Sequence, residues 1–228
     1  MLSHFSELPP PMQCDEVKKY YDILDKKRAT LAIKRAFDII VSAILIVLIS
    51  PVLAIIAIAI KCDSRGPVFF RQRRVTRDMR DFSIFKFRSM VENAPSLGGA
   101  LTVGNDSRIT RVGAFLRKTR LDELPQLFNI FLGDMSFVGT RPEVREYVDR
   151  YTPEMLATLL LPAGVTSRAS IEFIEEAELL GNAEDADETY VNVILPRKMK
   201  YNLEYLENMS LLGDLKLMLG TLGAVSRE

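Results

Sequence analysis

Histidine is almost missing from this chain: the only one in 228 residues is His4, in a Pro-rich stretch near the start. That stretch reads as a disordered arm, which leaves the body of the protein without imidazole. Acid–base or metal chemistry must then rest on carboxylates, Lys, Arg or Tyr. Zinc catalysis is disfavoured, and a hard cation held by oxygen atoms, such as magnesium, is the natural cofactor. Cysteine is equally scarce. Cys14 and Cys62 make no disulfide framework and sit in no metal-ligand pattern, which fits a reducing cytoplasmic setting. An excess of either charge is also lacking, because 30 basic residues balance 30 acidic ones. No global field therefore draws the chain to nucleic acid.

What the chain does have is apolar length. Ile39 to Ile60 runs for 22 residues without a charge, and about 20 apolar residues suffice to cross a bilayer as a helix. The run starts too late, and is too long, for a secretory signal. Ser50-Pro51 lies at its middle, where proline removes a backbone hydrogen bond and bends or breaks a helix. Both flanks are basic: Lys26, Lys27, Arg28, Lys34 and Arg35 precede the run, and Lys61, Arg65, Arg71, Arg73, Arg74 and Arg77 follow it. Basic flanks favour the cytoplasmic side. A helix that enters, breaks at Pro51 and leaves by the same face satisfies both ends. A kinked single-pass anchor is the alternative, since proline is tolerated in membrane helices when neighbours satisfy the freed carbonyls.

Beyond Ser64-Arg65-Gly66-Pro67, Val68–Val75 and Asp81–Met90 read as two strands around a polar turn, and Glu92–Ser107 as a loop. Ile109, Val112, Phe115 and Leu116 then fall at helical spacing among basic residues, the pattern of a helix lying on an anionic membrane surface. Helical spacing continues over Leu121–Leu132, Tyr190–Leu206 and Leu211–Leu222. Within this frame Asp122 and Glu123 are adjacent carboxylates bracketed by Arg117, Lys118, Arg120 and Arg141. Such a pair can hold a divalent ion, and one member can attack phosphorus; cations around it suit phosphates. Alone, it equally fits a helix start, where acidic residues and Pro125 are favoured.

Several blocks in order decide between these. KRAFDIIVSAILIVLISP, GPVFFRQRR, FSIFKFRSM, LDELPQLFNIFLGDMSFVG followed by Arg141-Pro142, and LEYLENMSLLGDLKLM closely resemble the bacterial sugar transferases, the monotopic phosphoglycosyl transferases that prime glycan assembly on polyprenyl phosphate. The resemblance implies an α-rich α+β protein with three parts. Residues 1–30 form an N-terminal arm, 31–61 a re-entrant membrane helix broken at Ser50-Pro51, and 62–228 a cytoplasmic catalytic domain of interfacial amphipathic helices and a short β-hairpin. It also implies a bacterial inner-membrane location facing the cytoplasm.

The chemistry implied is transfer of a phosphosugar from a UDP-sugar to polyprenyl (undecaprenyl) phosphate, which starts a bacterial surface glycan. Asp122 is the implied nucleophile, forming a covalent phosphosugar-aspartate and expelling UMP. Glu123 helps to hold magnesium, and Lys86, Arg88, Arg117 and Arg141 match basic positions around the phosphates. A non-catalytic scaffold binding polyprenyl phosphate or partner enzymes is the competing class, against which the intact dyad speaks. Leu211–Val225 can rest on membrane lipid or on a second subunit, leaving a homodimer open. The chain departs from the family pattern at Thr76 (usually Gly), Thr140 (usually Pro), Asn202 (often Asp), LPAGVTSRASIEF and the insert GNAEDADETY. The insert overlaps the acidic stretch Glu172–Glu188 and reads as a solvated loop, with a donor-specificity element as the alternative. These departures bear on sugar choice more than on reaction type.

Overall fold

The computed structural model describes residues 2–94, 106–173, 176–181, 183 and 185–225. Most of the expected Glu92–Ser107 loop and parts of the acidic stretch lie outside them.

The N-terminal arm corrects the expectation of disorder. Two short 3₁₀ turns, Phe5–Glu7 and Pro10–Met12, lead into helix α1, Asp15–Asp25. Val17, Tyr20, Tyr21 and Leu24 recur at the helical interval and are buried, together with Leu2, Leu8 and Met12. Each such side chain contributes about 1.5–3 kcal/mol when removed from water, so the arm belongs to the main core. His4 itself is exposed.

Helix α2 runs from Arg28 to Asp63 with Pro51 inside it. Helical conformation continues through the Ser-Pro pair, where an interruption was expected. Pro51 cannot donate to the carbonyl of Val47, four residues back, and the Ser50 hydroxyl donates to that carbonyl instead, at 2.8 Å. Burial along α2 is confined to its two ends: Leu31, Lys34, Asp38 and Ser42 in one half, Ile56 and Ile60 in the other. Val47 and Leu48 between them are 75% and 70% exposed.

Strands β1 (Phe69–Val75) and β2 (Asp81–Phe87) form the expected antiparallel hairpin, paired from Phe69↔Phe87 to Val75↔Asp81. A second pair was not foreseen: β3 (Met135–Val138) lies parallel to β4 (Ala163–Thr166). All four β3 residues are buried, so no alternation marked it as a strand. Just beyond β3, the backbone passes so close to β4 that a Cβ on Gly164 would lie 2.2 Å from the nitrogen of Gly139. Thr76, where a glycine is usual, ties the two sheets together. Its hydroxyl donates to Asp134 O (2.6 Å) and accepts from Ala163 N–H (3.1 Å).

Helix α3 (Arg111–Lys118) is capped by the Thr110 side chain, and Asp63, at the end of α2, accepts from Val112 N–H at 2.9 Å. A left-handed turn at Arg120 (φ 57°) leads into the 3₁₀ turn Leu121–Glu123 and helix α4, Gln126–Leu132. The C-terminus of α4 ends on Gly133, and the Arg35 guanidinium of α2 donates to Ile130 O (2.6 Å) and Phe131 O (2.8 Å). A cation at a helix C-terminus meets both the orphan carbonyls and the dipole. Helices α5 (Leu195–Asn208) and α6 (Leu211–Val225) complete the body. Asp214 of α6 is buried in an ion pair with Lys34 of α2 (2.6 Å) and accepts from Tyr205 OH (2.9 Å).

Candidate active site

The short turn carrying Asp122 and Glu123 is placed by α4, the next element in the chain. Asn129 of α4 is fully buried and bonded twice to β2: its side-chain oxygen accepts from Phe85 N–H (2.9 Å), and its amide donates to Ser83 O (2.8 Å). That stitch fixes α4 on the strand, and with it the register of Lys86 against the dyad. Lys86 Nζ lies 2.7 Å from Glu123 Oε1, and an Arg141 guanidinium nitrogen lies 3.6 Å from the same oxygen.

The two carboxylates occupy different electrostatic environments. Asp122 is 9% exposed; burial raises its pKa, the charge of Glu123 adds to this, and Lys86 and Arg117 oppose it. Burial pushes Glu123 upward too, but Lys86 and Arg141 outweigh it, with Arg120 contributing, and hold the carboxyl at about 2. Neighbouring acids with divergent environments are suited to different roles. Glu123 stays ionised and paired, while Asp122 is a less solvated carboxylate.

Of the basic residues singled out in the sequence, Lys86 and Arg141 meet the dyad directly, and Arg117 acts on Asp122 through its charge. Arg141 remains 43% exposed at its side chain, open to an incoming anion. Arg88 serves elsewhere. It is buried, and its guanidinium clamps the end of α2 through Arg65 O, Ser64 O (2.7 Å) and Ser64 Oγ (2.9 Å). Asn202 is buried on α5, its amide 3.7 Å from the Met199 sulfur, and Lys86 takes its carboxylate partner from the dyad. The Thr140–Arg141 loop is held by backbone bonds to β4, Gly164 N–H to Thr140 O (2.8 Å) and Gly139 N–H to Thr166 O (3.0 Å), neither of which depends on the side chain at 140.

Beside the dyad opens a cleft of about 370 Å³. Arg120, Glu123 and Arg141 stand at its charged part, Leu45 and Ile49 of α2, Leu127, Phe137, Val165 and Ile171 give it apolar walls, and Gln126, Thr166, Ser170 and Thr221 add polar groups. Ser50 and Pro51 come directly after this wall in the chain. The cleft thus sets cations beside an apolar wall. Sequence reading missed Asn129, Arg35 as a helix cap, and Glu143, whose one visible signal was its place after Arg141-Pro142.

Among the described residues no group of three His, Cys, Asp or Glu side chains could enclose a metal. Magnesium does not need one, since it keeps several waters and binds through one or two carboxylates plus substrate phosphates. The adjacent Asp122 and Glu123 carboxylates fit that donor set.

Comparison with known proteins bears on this geometry. A family model described as bacterial sugar transferase matches residues 29–228. The chain is 38% identical over 196 residues to the UDP-N-acetylgalactosamine-undecaprenyl-phosphate N-acetylgalactosaminephosphotransferase of Aeromonas hydrophila, covering 85% of this chain and 43% of that protein. It is 38% identical over 194 residues to the UDP-glucose:undecaprenyl-phosphate glucose-1-phosphate transferase of Klebsiella pneumoniae, covering 82% and 39%. Over 112 residues it is 49% identical to the exopolysaccharide production protein PSS of Rhizobium leguminosarum bv. phaseoli, covering 49% and 56%. The chain thus spans about two fifths of the length of the first two relatives.

Proposed function

This chain belongs to the bacterial sugar transferase family, and on that footing we propose that it transfers a sugar 1-phosphate from a UDP-sugar to polyprenyl phosphate, in the manner of undecaprenyl phosphate, to start a surface glycan. The observation that carries this reading is the buried Asp122 next to Glu123, whose carboxylate meets Lys86 and Arg141 and lines a cleft with one charged part and largely apolar walls.

In the first half-reaction an Asp122 carboxylate oxygen attacks the β-phosphorus of the donor. The bond from that phosphorus to the bridging oxygen breaks, and UMP leaves with the electron pair. The product is a phosphosugar-aspartate. In the second, a phosphate oxygen of the lipid attacks the same phosphorus, the bond to Asp122 breaks, and the carboxylate is regenerated with polyprenyl-diphosphate-sugar. Arg141, exposed beside Glu123, clamps the diphosphate, and the charges of Lys86 and Arg117 oppose the rise that burial imposes on the Asp122 carboxyl. Asp122 and Glu123 would hold magnesium, which offsets the charge gathered when phosphates meet a carboxylate. A covalent route lets one site take a water-soluble donor and a lipid acceptor in turn.

On the same reading α2 lies in the cytoplasmic face of the bacterial inner membrane as a re-entrant element. Its support is that both ends of α2 pack on one body: Arg35 on α4 at one end, Ile56 and Ile60 against Phe87 and Leu116 at the other. A transmembrane span would instead place those two seats on opposite faces of a bilayer core about 30 Å thick.

Donor-only incubation tests the chemistry. With radiolabel in the β-phosphate of each of a panel of UDP-sugars, the protein should release UMP and retain label, and Asp122→Asn should do neither. Full turnover by Asp122→Asn would overturn the nucleophile assignment. The two relatives of equal identity carry names with different sugars, so the panel also identifies the donor.

A further inference from the structure

Directly after Arg141-Pro142, the Glu143 side chain turns away from the cleft into a buried polar cluster. Tyr190 OH donates to Glu143 Oε1 at 2.5 Å, and Lys198 Nζ lies 3.8 Å from the same oxygen. Arg74 stands 3.8 Å from Glu143 Oε2 and donates to Pro142 O at 3.2 Å, while Val75 N–H donates to Glu143 O at 2.9 Å. Lys198 also donates to Tyr190 OH (3.2 Å) and pairs with Glu176 (3.3 Å). Tyr147 packs on Tyr190 with ring centres 4.7 Å apart and donates to Asp187 (2.6 Å). Glu176 and Asp187 both belong to the acidic stretch Glu172–Glu188.

The charges close on themselves: Arg74 and Lys198 against Glu143 and Glu176. A buried cluster of this kind adds little stability over an apolar replacement, because desolvation offsets the attraction. It does fix geometry at its centre, since the buried Glu143, Tyr190 and Lys198 have few alternative partners in a low-dielectric interior. The geometry it fixes is the loop whose guanidinium meets Glu123. We infer that Glu143 is a positioning residue for Arg141, and that the acidic stretch, through Glu176 and Asp187, holds Glu143 and so sets how the site grips its donor. This rests on the reading of Arg141 as the diphosphate clamp.

The test uses the full chain in detergent with the donor that gives most UMP release. Glu143→Gln should lower kcat/KM for the donor about ten- to a hundred-fold, the effect of displacing a positioning group by about 1 Å. Glu176→Gln, on a half-exposed side chain, should lower it about two- to thirty-fold. Neither should lower it further in an Arg141→Ala background, because the residue they position is gone. Equal losses with and without Arg141 would overturn the inference. Amide hydrogen exchange over residues 139–144 reads the same coupling without turnover. Faster exchange in both variants supports it, and unchanged exchange overturns it even if no donor is consumed. A wild-type protein that releases no UMP from any donor, yet shows the exchange coupling, would instead sink the proposed function.

Discussion

At the residue scale, Asp122 and Glu123 differ by one position and by the company each keeps. Glu123 has Lys86 at 2.7 Å and Arg141 at 3.6 Å, and its carboxyl is held at about 2 against an ordinary 4.5. A folded-state value below the unfolded one means that the ionised pair stabilises the protein fully above about pH 4.5. That contribution is lost as the pH falls toward 2. The stability gap between wild type and Glu123→Gln, read by urea unfolding in nonionic detergent, should therefore be level above pH 4.5 and narrow below it. A gap that stays constant down to pH 2 would mean that Lys86 and Arg141 do not hold the carboxylate in solution. The dyad with Arg117, Arg120 and Arg141 was legible in the sequence, because adjacent acids among basic residues are a local pattern. Lys86, 37 residues from Glu123, came only through the family resemblance. The place of Arg88 was not legible, since its three carbonyl and hydroxyl partners lie 23 and 24 residues away at the end of α2. Glu143 was hidden for the same reason: its meaning comes from Tyr190 and Lys198, brought close only by the fold.

At the scale of elements, apolar length identified α2 and residue spacing identified α3, α4, α5, α6 and the β1–β2 hairpin, and spacing failed where burial erases the pattern. Strands β3 and β4 are four residues each, too short and too fully enclosed to alternate. Helix α1 was masked by the Pro-rich run before it, although Val17, Tyr20, Tyr21 and Leu24 do carry the helical interval. The Ser50-Pro51 pair read as a break, and the structure supplies the reason that helix persists there. The hydroxyl of Ser50 satisfies the Val47 carbonyl that proline leaves without a donor. In apolar surroundings an unsatisfied carbonyl costs about 1–3 kcal/mol. Ser50→Ala should destabilise the protein by about that amount in thermal unfolding within nanodiscs, whereas Ser50→Ala combined with Pro51→Ala should not, because the restored N–H replaces the hydroxyl. Equal destabilisation in the single and double variants would mean that the hydroxyl does something other than cap Val47.

At the scale of the whole molecule, the exposed apolar surface is concentrated on two elements that are joined by a buried charge pair. Ile40, Ile44, Val47, Leu48, Ile55 and Ile58 are exposed on α2, and Leu212 and Leu219 on α6; Lys34 and Asp214 lock the two helices together. Contiguous apolar area on this scale calls for a non-aqueous neighbour, and a bilayer that receives α2 also lies against α6. The run's length was legible in sequence and its topology was not, because 22 apolar residues suit a span and a re-entrant loop alike. The support for the proposed re-entry is tertiary. Arg35 caps α4 near one end of α2, Asp63 holds α3 at the other, and Asn129 and Phe87 tie these parts into one body. Site-directed labelling tests whether that body sits on one side of the membrane. In a Cys14→Ser background, native Cys62, which is exposed, marks the exit of α2, and a cysteine introduced by Lys26→Cys marks its entry. A membrane-impermeant maleimide should modify both in inverted vesicles and neither in intact spheroplasts. Modification of Lys26→Cys and Cys62 from opposite faces would make α2 a single-pass span, and would require the contacts at its two ends to be remade.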